Sequence, residues 1–188
     1  MRCLASSLVV LLLSCLVSAA TLSGNVKAAG DSAVVLEAVP AKAFPPPSQG
    51  AVMDQHGNKF VPALLVIQKG TTVVFSNDDN VAHNVLWPNI SGNKALAHNA
   101  GTFNKGKTVS FKFDNPGNLP LRCSIHPEMA GTIVVSPSPY FAATDASGGY
   151  SIKDVPDGKY KATAWHDGKA TTQNVTVTGD TKLDFTAN

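Results

Sequence analysis

The segment Cys123-Ser124-Ile125-His126-Pro127-Glu128-Met129 is the most informative part of this chain. Within seven residues it places a thiol, an imidazole and a thioether, each three positions after the previous one. Soft sulfur donors together with imidazole are the ligands that copper prefers, and two His, one Cys and a weak axial Met form an electron-transfer copper site. The segment lacks one His for such a site, so a second imidazole must come from another part of the chain.

His83 is the residue that the sequence offers for this role. Residues 71–77 alternate between apolar and polar side chains, as expected of a strand with one buried face. The polar loop Asn77-Asp78-Asp79-Asn80 follows, and His83 comes directly after it. Zinc is the main alternative metal, but Met is a poor zinc ligand and only one Cys is at hand. The pattern therefore predicts a copper site made by an upstream loop and a downstream loop.

The first twenty residues predict an export signal. Arg2 supplies the positive start, and residues 4–17 form an apolar run that is too short to span a bilayer. Small residues at positions 17–20 favour cleavage after Ala19 or Ala20. We therefore expect a periplasmic or extracellular protein, and no other segment is apolar enough to form a transmembrane helix.

Lipid attachment is the alternative for this segment. Leu12-Leu13-Ser14-Cys15 loosely matches the box at which bacterial lipoproteins are modified, so Cys15 would become a membrane-anchored N-terminus. In either case Cys3 and Cys15 leave the soluble part, and Cys123 has no partner for a disulfide. A lone Cys is often a small buried apolar residue, but the neighbours of Cys123 favour a ligand.

Composition predicts an all-β chain without affinity for nucleic acid. The signal contains Arg2 as its one charged residue, so 14 of the 15 basic residues remain against 13 acidic ones. A net charge this close to zero gives no electrostatic attraction for a polyanion such as nucleic acid. About 168 remaining residues fit one domain or two small ones. Val and Thr are frequent, turn residues recur, and no run has helical periodicity.

Short strands separated by turns are predicted along the whole mature chain. The Pro-rich stretch 40–50 cannot sit inside a sheet, so we place a boundary there, and residues 88–106 are predicted to form a long loop. The predicted strands are 22–27, 33–39, 51–55, 63–67, 71–77, 108–113, 119–123, 131–135, 141–144, 149–152, 160–165 and 173–178, with 181–185 as a last candidate.

Residues 51–135 resemble a cupredoxin of the plastocyanin and amicyanin type. The resemblance is carried by Phe60-Val61-Pro62, by Gly70 through Asp78, by His83-Asn84-Val85 and by Cys123 through Gly131. It implies a Greek-key β-sandwich that holds one type 1 copper ion. His83, Cys123 and His126 would bind the metal in a plane, Met129 would be the weak axial ligand, and Asn84 would tie the two ligand loops together by hydrogen bonding. The short spacing from Cys to His to Met is more like amicyanin.

The tail resembles a second domain. Residues 139–145, 155–160 and 164–166 are similar to exported bacterial proteins, often described as methylamine-utilisation-like, in which a carboxypeptidase-regulatory-like (transthyretin-like) β-sandwich follows the cupredoxin. Residues 22–39 resemble the first hairpin of that sandwich. The predicted organisation is a signal peptide at 1–20, a cupredoxin domain at 48–136, and a discontinuous sandwich made of 21–40 and 138–188.

The function expected from these features is one-electron transfer to a redox partner protein. Electrons would pass through the exposed edge of His126, and Pro127 with residues near Pro88 would form part of the docking surface. The alternative is copper binding or delivery without electron transfer. An enzyme is not expected, because multicopper sites need His-Cys-His or His-x-His patterns. Cys123 is flanked by Arg122 and Ser124 instead.

The remaining histidines and both tryptophans are expected to be structural or solvent-facing. His56 and His98 are predicted to face solvent, although the loop that carries His98 could lie near the copper face. His166 follows a strand and is predicted to be structural. Trp87 and Trp165 are expected in the core rather than on an electron-transfer route.

Overall fold

The computed structural model describes residues 19–28 and 30–187. In this part of the chain the secondary structure is β apart from one short 3-10 helix, Lys94–Leu96. No helix of the described residues is long and apolar enough to cross a membrane. The predicted signal peptide, with Cys3 and Cys15, lies outside the described residues except for Ala19 and Ala20, which open the first strand.

Seventeen strands are present in the described residues. They are β1 (Ala19–Lys27), β2 (Ser32–Val39), β3 (Ala51–Gln55), β4 (Phe60–Val61), β5 (Leu64–Gln68), β6 (Thr71–Ser76), β7 (His83–Trp87), β8 (His98–Phe103), β9 (Thr108–Phe113), β10 (Gly117–Arg122), β11 (Ala130–Ser136), β12 (Phe141–Ala143), β13 (Gly149–Pro156), β14 (Gly158–His166), β15 (Lys169–Val177), β16 (Thr181–Lys182) and β17 (Phe185–Thr186).

Strands β3 to β11 make two sheets around one core. One sheet has the order β5-β11-β10-β7-β8, and the other has the order β4-β3-β6-β9. In β6 the residues Thr71, Val73 and Phe75 are buried in alternation, because successive side chains of a strand point to opposite faces. The inward side chains of both sheets, including Trp87 and Phe113, form a single apolar cluster.

Strand pairing brings the predicted ligand segments together. Strands β10 and β11 are antiparallel, and their last pair is Arg122 with Ala130, so residues 123–129 form the loop that joins them. Arg122 also pairs with Leu86 of β7, which sets the start of β7 beside this loop. Gly131 follows on β11 and packs against Phe60, where a Cβ would lie 2.9 Å from the Phe60 Cβ. A larger residue at position 131 would push the end of the loop outward.

The remaining strands form a second pair of sheets. Strand β1 pairs with β13, β16 and β17, and the other sheet has the order β12-β2-β14-β15. Their inward side chains make a separate apolar cluster that includes Leu22, Leu36, Ile152 and Phe185. Residues 19–39 thus pair with residues 141–186 and not with the sheets that lie between them in sequence.

A small apolar contact joins the two pairs of sheets. Ala33 and Val35 of β2 meet Val134 of β11, all three buried, and Trp165 packs against the same group. The contact is narrow, and clefts therefore open on either side of it between the two sandwiches.

Besides the two-residue strand β4, two strands were not predicted from the sequence. No element was predicted at residues 83–87, yet they form β7, and His98–Phe103 forms β8 inside the stretch predicted as a long loop. Strand β7 is buried along nearly its whole length, so it shows no alternation of apolar and polar residues. Strand β8 is an exposed edge strand of small and polar residues, and its pairing with β7 defines it.

Candidate metal centre

Three predicted ligands converge at the end of the first sandwich. The Nδ1 atoms of His83 and His126 lie 3.0 Å apart, and the Cys123 Sγ lies 3.8 Å from the His126 Nδ1. One ligand atom from each of the three residues lies within 4.8 Å of the other two. His83 and Cys123 are buried, whereas His126 is partly exposed. His83 comes from the first position of β7, and the other two come from the loop between β10 and β11.

The donor set fits a copper ion. The His83 Nε2 contacts a carboxylate, so this nitrogen carries the proton and Nδ1 directs its lone pair toward the cluster. A second imidazole nitrogen and a thiol sulfur face the same point. Two imidazole nitrogens and one cysteine sulfur around one small space form a donor set that suits a soft metal ion.

Met129 closes the same loop. It is 1% exposed and belongs to the apolar cluster that contains Cys123. Its backbone N–H donates to the carbonyl of His126 at 3.0 Å, which forms a turn between these two predicted ligands. A buried thioether in the loop that carries the thiol and the imidazole can act as a weak copper ligand.

Asn84 links the two ligand segments. Its backbone N–H donates to the Cys123 Sγ at 3.4 Å, and its side-chain Oδ1 accepts from the Ser124 N–H at 3.3 Å. Its Nδ2 donates to the Asn99 Oδ1 at 2.8 Å, and that oxygen also accepts from the Gly101 N–H. Asn99 lies on β8 and was not anticipated, because nothing in the predicted loop 88–106 distinguished it.

Asp79 is a second residue that sequence reasoning missed. Its Oδ2 accepts a hydrogen bond from the His83 Nε2 at 2.8 Å. The carboxylate also accepts hydrogen bonds from the backbone N–H groups of Gly57 and Asn58, at 2.7 and 2.9 Å. The Asn58 hydrogen bond is the main cause that lowers the Asp79 pKa to about 2, with Gly57 and His83 acting in the same direction against partial burial. A carboxylate four residues before a predicted His ligand was the available sequence signal.

Gln55 supports the same network from β3. It is fully buried, and its Nε2 donates to the Asn84 carbonyl at 3.2 Å. Its Oε1 has no hydrogen-bond partner among the described residues. Its position at the end of a predicted strand gave no indication of this role.

The other histidines lie away from the cluster. The His56 side chain is 71% exposed, and its Nδ1 is 4.0 Å from Asp79. His98 is exposed and stacks on Trp87 with the ring centroids 4.9 Å apart. It pairs with Trp87 at the far end of β7 and faces solvent as predicted, whereas Asn99 and Phe103 of the same strand reach the ligand segments. His166 bonds to the Ser32 hydroxyl at 3.0 Å.

Pro88 is also misplaced in the sequence-based prediction of a docking surface. It follows the last residue of β7, whereas His83 is the first residue of that strand. Five residues of extended chain span about 16 Å. Pro88 is therefore at the opposite end of the strand from the ligand cluster and does not flank His126.

The family comparison agrees with this geometry. Residues 49–136 match the copper-binding proteins of the plastocyanin/azurin family. This segment belongs to the cupredoxins. Residues 136–184 match a different family, described as polysaccharide lyase family 4, domain II. The resemblance of the tail to a carboxypeptidase-regulatory-like domain thus has no counterpart in the family match.

Solved structures similar to the chain include three copper proteins. A reduced Cu(I) form of an amicyanin mutant is 26% identical, with a TM-score of 0.43, over 48% of this chain and 85% of that one. A purple cupredoxin from Nitrosopumilus maritimus is 29% identical, with a TM-score of 0.41, over 46% and 99%. A Cu-containing nitrite reductase from Thermus scotoductus SA-01 is 32% identical, with a TM-score of 0.43, over 52% and 24%.

Proposed function

We propose that this cupredoxin is a type 1 copper protein that carries one electron at a time. His83, Cys123 and His126 would hold one copper ion in a plane, with Met129 as the axial ligand. The observation that carries the proposal is the meeting of two imidazole Nδ1 atoms 3.0 Å apart with a thiol 3.8 Å from one of them. When bound, copper supplies a centre that alternates between the Cu(I) and Cu(II) states.

The surrounding residues keep the ligands in place before metal arrives. Asp79 fixes the ring of His83, and Asn84 bonds to both Cys123 and Ser124, so the two ligand segments are joined without the metal. A ligand set that is held in this way changes little between oxidation states, which lowers the reorganisation that accompanies electron transfer. The backbone N–H of Asn84 also stabilises negative charge on the Cys123 sulfur.

Electrons would enter and leave through the edge of His126. This is the predicted ligand that reaches the surface, whereas His83 and Cys123 are buried. Its neighbours Ile125 and Pro127 are exposed, and Ile125 is 46% exposed, so they form an apolar rim beside the imidazole. We infer that a redox partner protein docks on this apolar rim. An apolar contact from which water is removed would hold the partner close to the imidazole without requiring strong binding.

The proposal extends to domain organisation and location. We infer that residues 21–40 and 138–188 form one discontinuous sandwich into which the cupredoxin at 48–136 is inserted. The pairing of β1 and β2 with strands from β12 onward supports this division. We also infer that the protein is exported to the periplasm or the exterior, on the basis of the signal-like first twenty residues and the alternative anchor at Cys15.

An absorption spectrum of the copper-loaded, oxidised protein tests the proposed site. We expect an intense visible thiolate-to-copper band in the wild type and its loss in Cys123→Ser. Ser124→Ala is the matched control, because the neighbouring side chain is exposed and only its backbone N–H enters the network. Voltammetry should give one reversible one-electron wave. A colourless copper complex with no such wave would reject electron transfer and favour copper delivery.

A further inference from the structure

A polar cleft separates the two sandwiches on one side of their apolar contact. Its volume is about 660 Å³, and it lies between β10 and β11 on one side and the turn after β14 on the other. A second cavity of about 290 Å³ adjoins it, and Ser91 and Trp165 line both. The two cavities are together called here the interdomain cleft. Pockets of this size between domains are common binding sites.

The interdomain cleft is separate from the copper centre. None of His83, Cys123, His126 and Met129 lines it among the described residues. The polar side chains of the larger cavity are instead contributed by both sandwiches, and they include Asp31, Asn89, Asn118, Arg122 and Asp167. The proposed electron transfer uses none of these groups.

Asn118 presents a side-chain amide to the cleft. It is only 5% exposed, and its side-chain amide has no hydrogen-bond partner among the described residues. Its backbone is satisfied, since its N–H donates to the Ser91 hydroxyl and its carbonyl accepts from the Ser91 N–H. The amide borders the cleft, so it can both donate to and accept from a bound molecule.

Trp165 provides an apolar wall. Its ring packs on Ala33, Val35 and Val134 at the domain contact, and the residue is only half-buried because its other side borders both cavities. An aromatic ring held rigidly from behind offers a flat surface with little entropic cost of binding.

The chemistry of the cleft selects among ligand classes. Asp31 and Asp167 accept hydrogen bonds, Arg122 donates them, and Asn118 does both. With Glu37 and Lys161 of the second cavity, three carboxylates face two cationic side chains. This net negative charge disfavours anions, and the polar walls disfavour a purely apolar molecule. A sugar has hydroxyls that donate and accept, and it has an apolar C–H face that stacks on an aromatic ring. We propose that the interdomain cleft binds a neutral oligosaccharide, with one ring on Trp165 and hydroxyls on Asn118 and the Asp167 side.

Binding of the full-length protein to an array of neutral and acidic oligosaccharides tests this site. We expect binding to neutral members, with quenching of tryptophan fluorescence in solution. Asn118→Leu should weaken that binding by about tenfold, the loss of one or two hydrogen bonds. It should leave the melting temperature nearly unchanged, because the side-chain amide makes no hydrogen bond within the described residues that the leucine would lose. Trp165→Ala should abolish binding.

Matched variants make the result decisive. Asn115→Leu places the same change on an exposed residue that lines neither cavity and should bind as the wild type does. Cys123→Ser should also bind unchanged, so failure of the copper proposal leaves this one intact. The proposal is overturned if no neutral oligosaccharide binds, if only acidic ones bind, or if Asn118→Leu binds as tightly as Asn115→Leu.

Discussion

The Asp79 Oδ2 lies 2.8 Å from the His83 Nε2, so one carboxylate holds the ring of a buried imidazole. The same carboxylate accepts hydrogen bonds from the backbone N–H groups of Gly57 and Asn58. The φ angles of these two residues, 62° and 55°, belong to the left-handed region. Asp79 thereby joins the tip of the β3–β4 hairpin to a proposed copper ligand. The geometry of His83 depends on a loop that is more than twenty residues away in sequence.

Asp79→Asn should weaken Cu(II) binding and raise the reduction potential. A neutral amide makes the His83 ring less electron-rich than a carboxylate does. This destabilises bound Cu(II) more than bound Cu(I), because Cu(II) carries the higher charge. Loss of such a partner typically lowers metal affinity 10- to 100-fold, so a potential rise of roughly 60 to 120 mV is expected for this one-electron couple. Voltammetry measures it. Asp78→Asn, which alters a neighbouring exposed carboxylate, should leave the potential unchanged; equal shifts in both variants would contradict a specific role.

The strands with alternating side chains could be read from the sequence. Residues 108–113 were predicted with the bounds of β9, and the strand predicted at 71–77 differs from β6 by one residue. Strand β7 could not be recognised in this way, because it is covered on both faces and carries no alternating pattern. Strand β8 depends on hydrogen bonds to β7 and has little propensity of its own.

The residues of the candidate site were likewise predictable only in part. The soft donors were evident because Cys123, His126 and Met129 lie within seven residues, and His83 follows a recognisable strand and loop. The residues that orient them are joined by contacts between distant segments, such as Asn84 with Asn99 and Gln55 with the Asn84 carbonyl. Amide side chains are common in turns, so their identity gives no indication of which one meets a ligand loop.

Asn99→Ala should disturb the copper centre through Asn84. The Asn84 amide would lose the acceptor at 2.8 Å that orients it, and its bond to the Ser124 N–H would loosen. We expect a loss of about 1 kcal/mol in the free energy of unfolding and a shifted visible copper band. Asn99→Asp keeps the acceptor and should restore the band. Asn104→Ala, on an exposed position after β8, is the control; an unchanged spectrum in Asn99→Ala would show that Asn84 needs no orienting partner.

Met129→Leu should raise the reduction potential with little loss of stability. Leu has a similar volume, and Met129 is 1% exposed, so the packing cost is expected to stay below about 1.5 kcal/mol. Removal of the thioether takes a weak donor from the metal, which disfavours Cu(II). Chemical denaturation of the apoprotein and voltammetry of the holoprotein separate the two effects. A potential equal to that of the wild type would mean that Met129 is a core residue and not an axial ligand.

Alkaline pH should destabilise the second sandwich before the cupredoxin. The chain has three tyrosines, Tyr140, Tyr150 and Tyr160, and burial raises the pKa of each above the ordinary value of 10.0. Unfolded tyrosines ionise near pH 10, so their contribution to stability is complete below that pH and is lost as pH rises toward the folded pKa values. The Tyr150 hydroxyl donates to the Leu183 carbonyl at 2.5 Å, so its ionisation also breaks the bond that holds β13 to the segment between β16 and β17. Tyrosinate absorbance, followed with tryptophan fluorescence and the copper band, should show the sandwich opening while the copper band persists. Tyr150→Phe should reduce this alkaline loss, and simultaneous loss of both signals would refute independent unfolding.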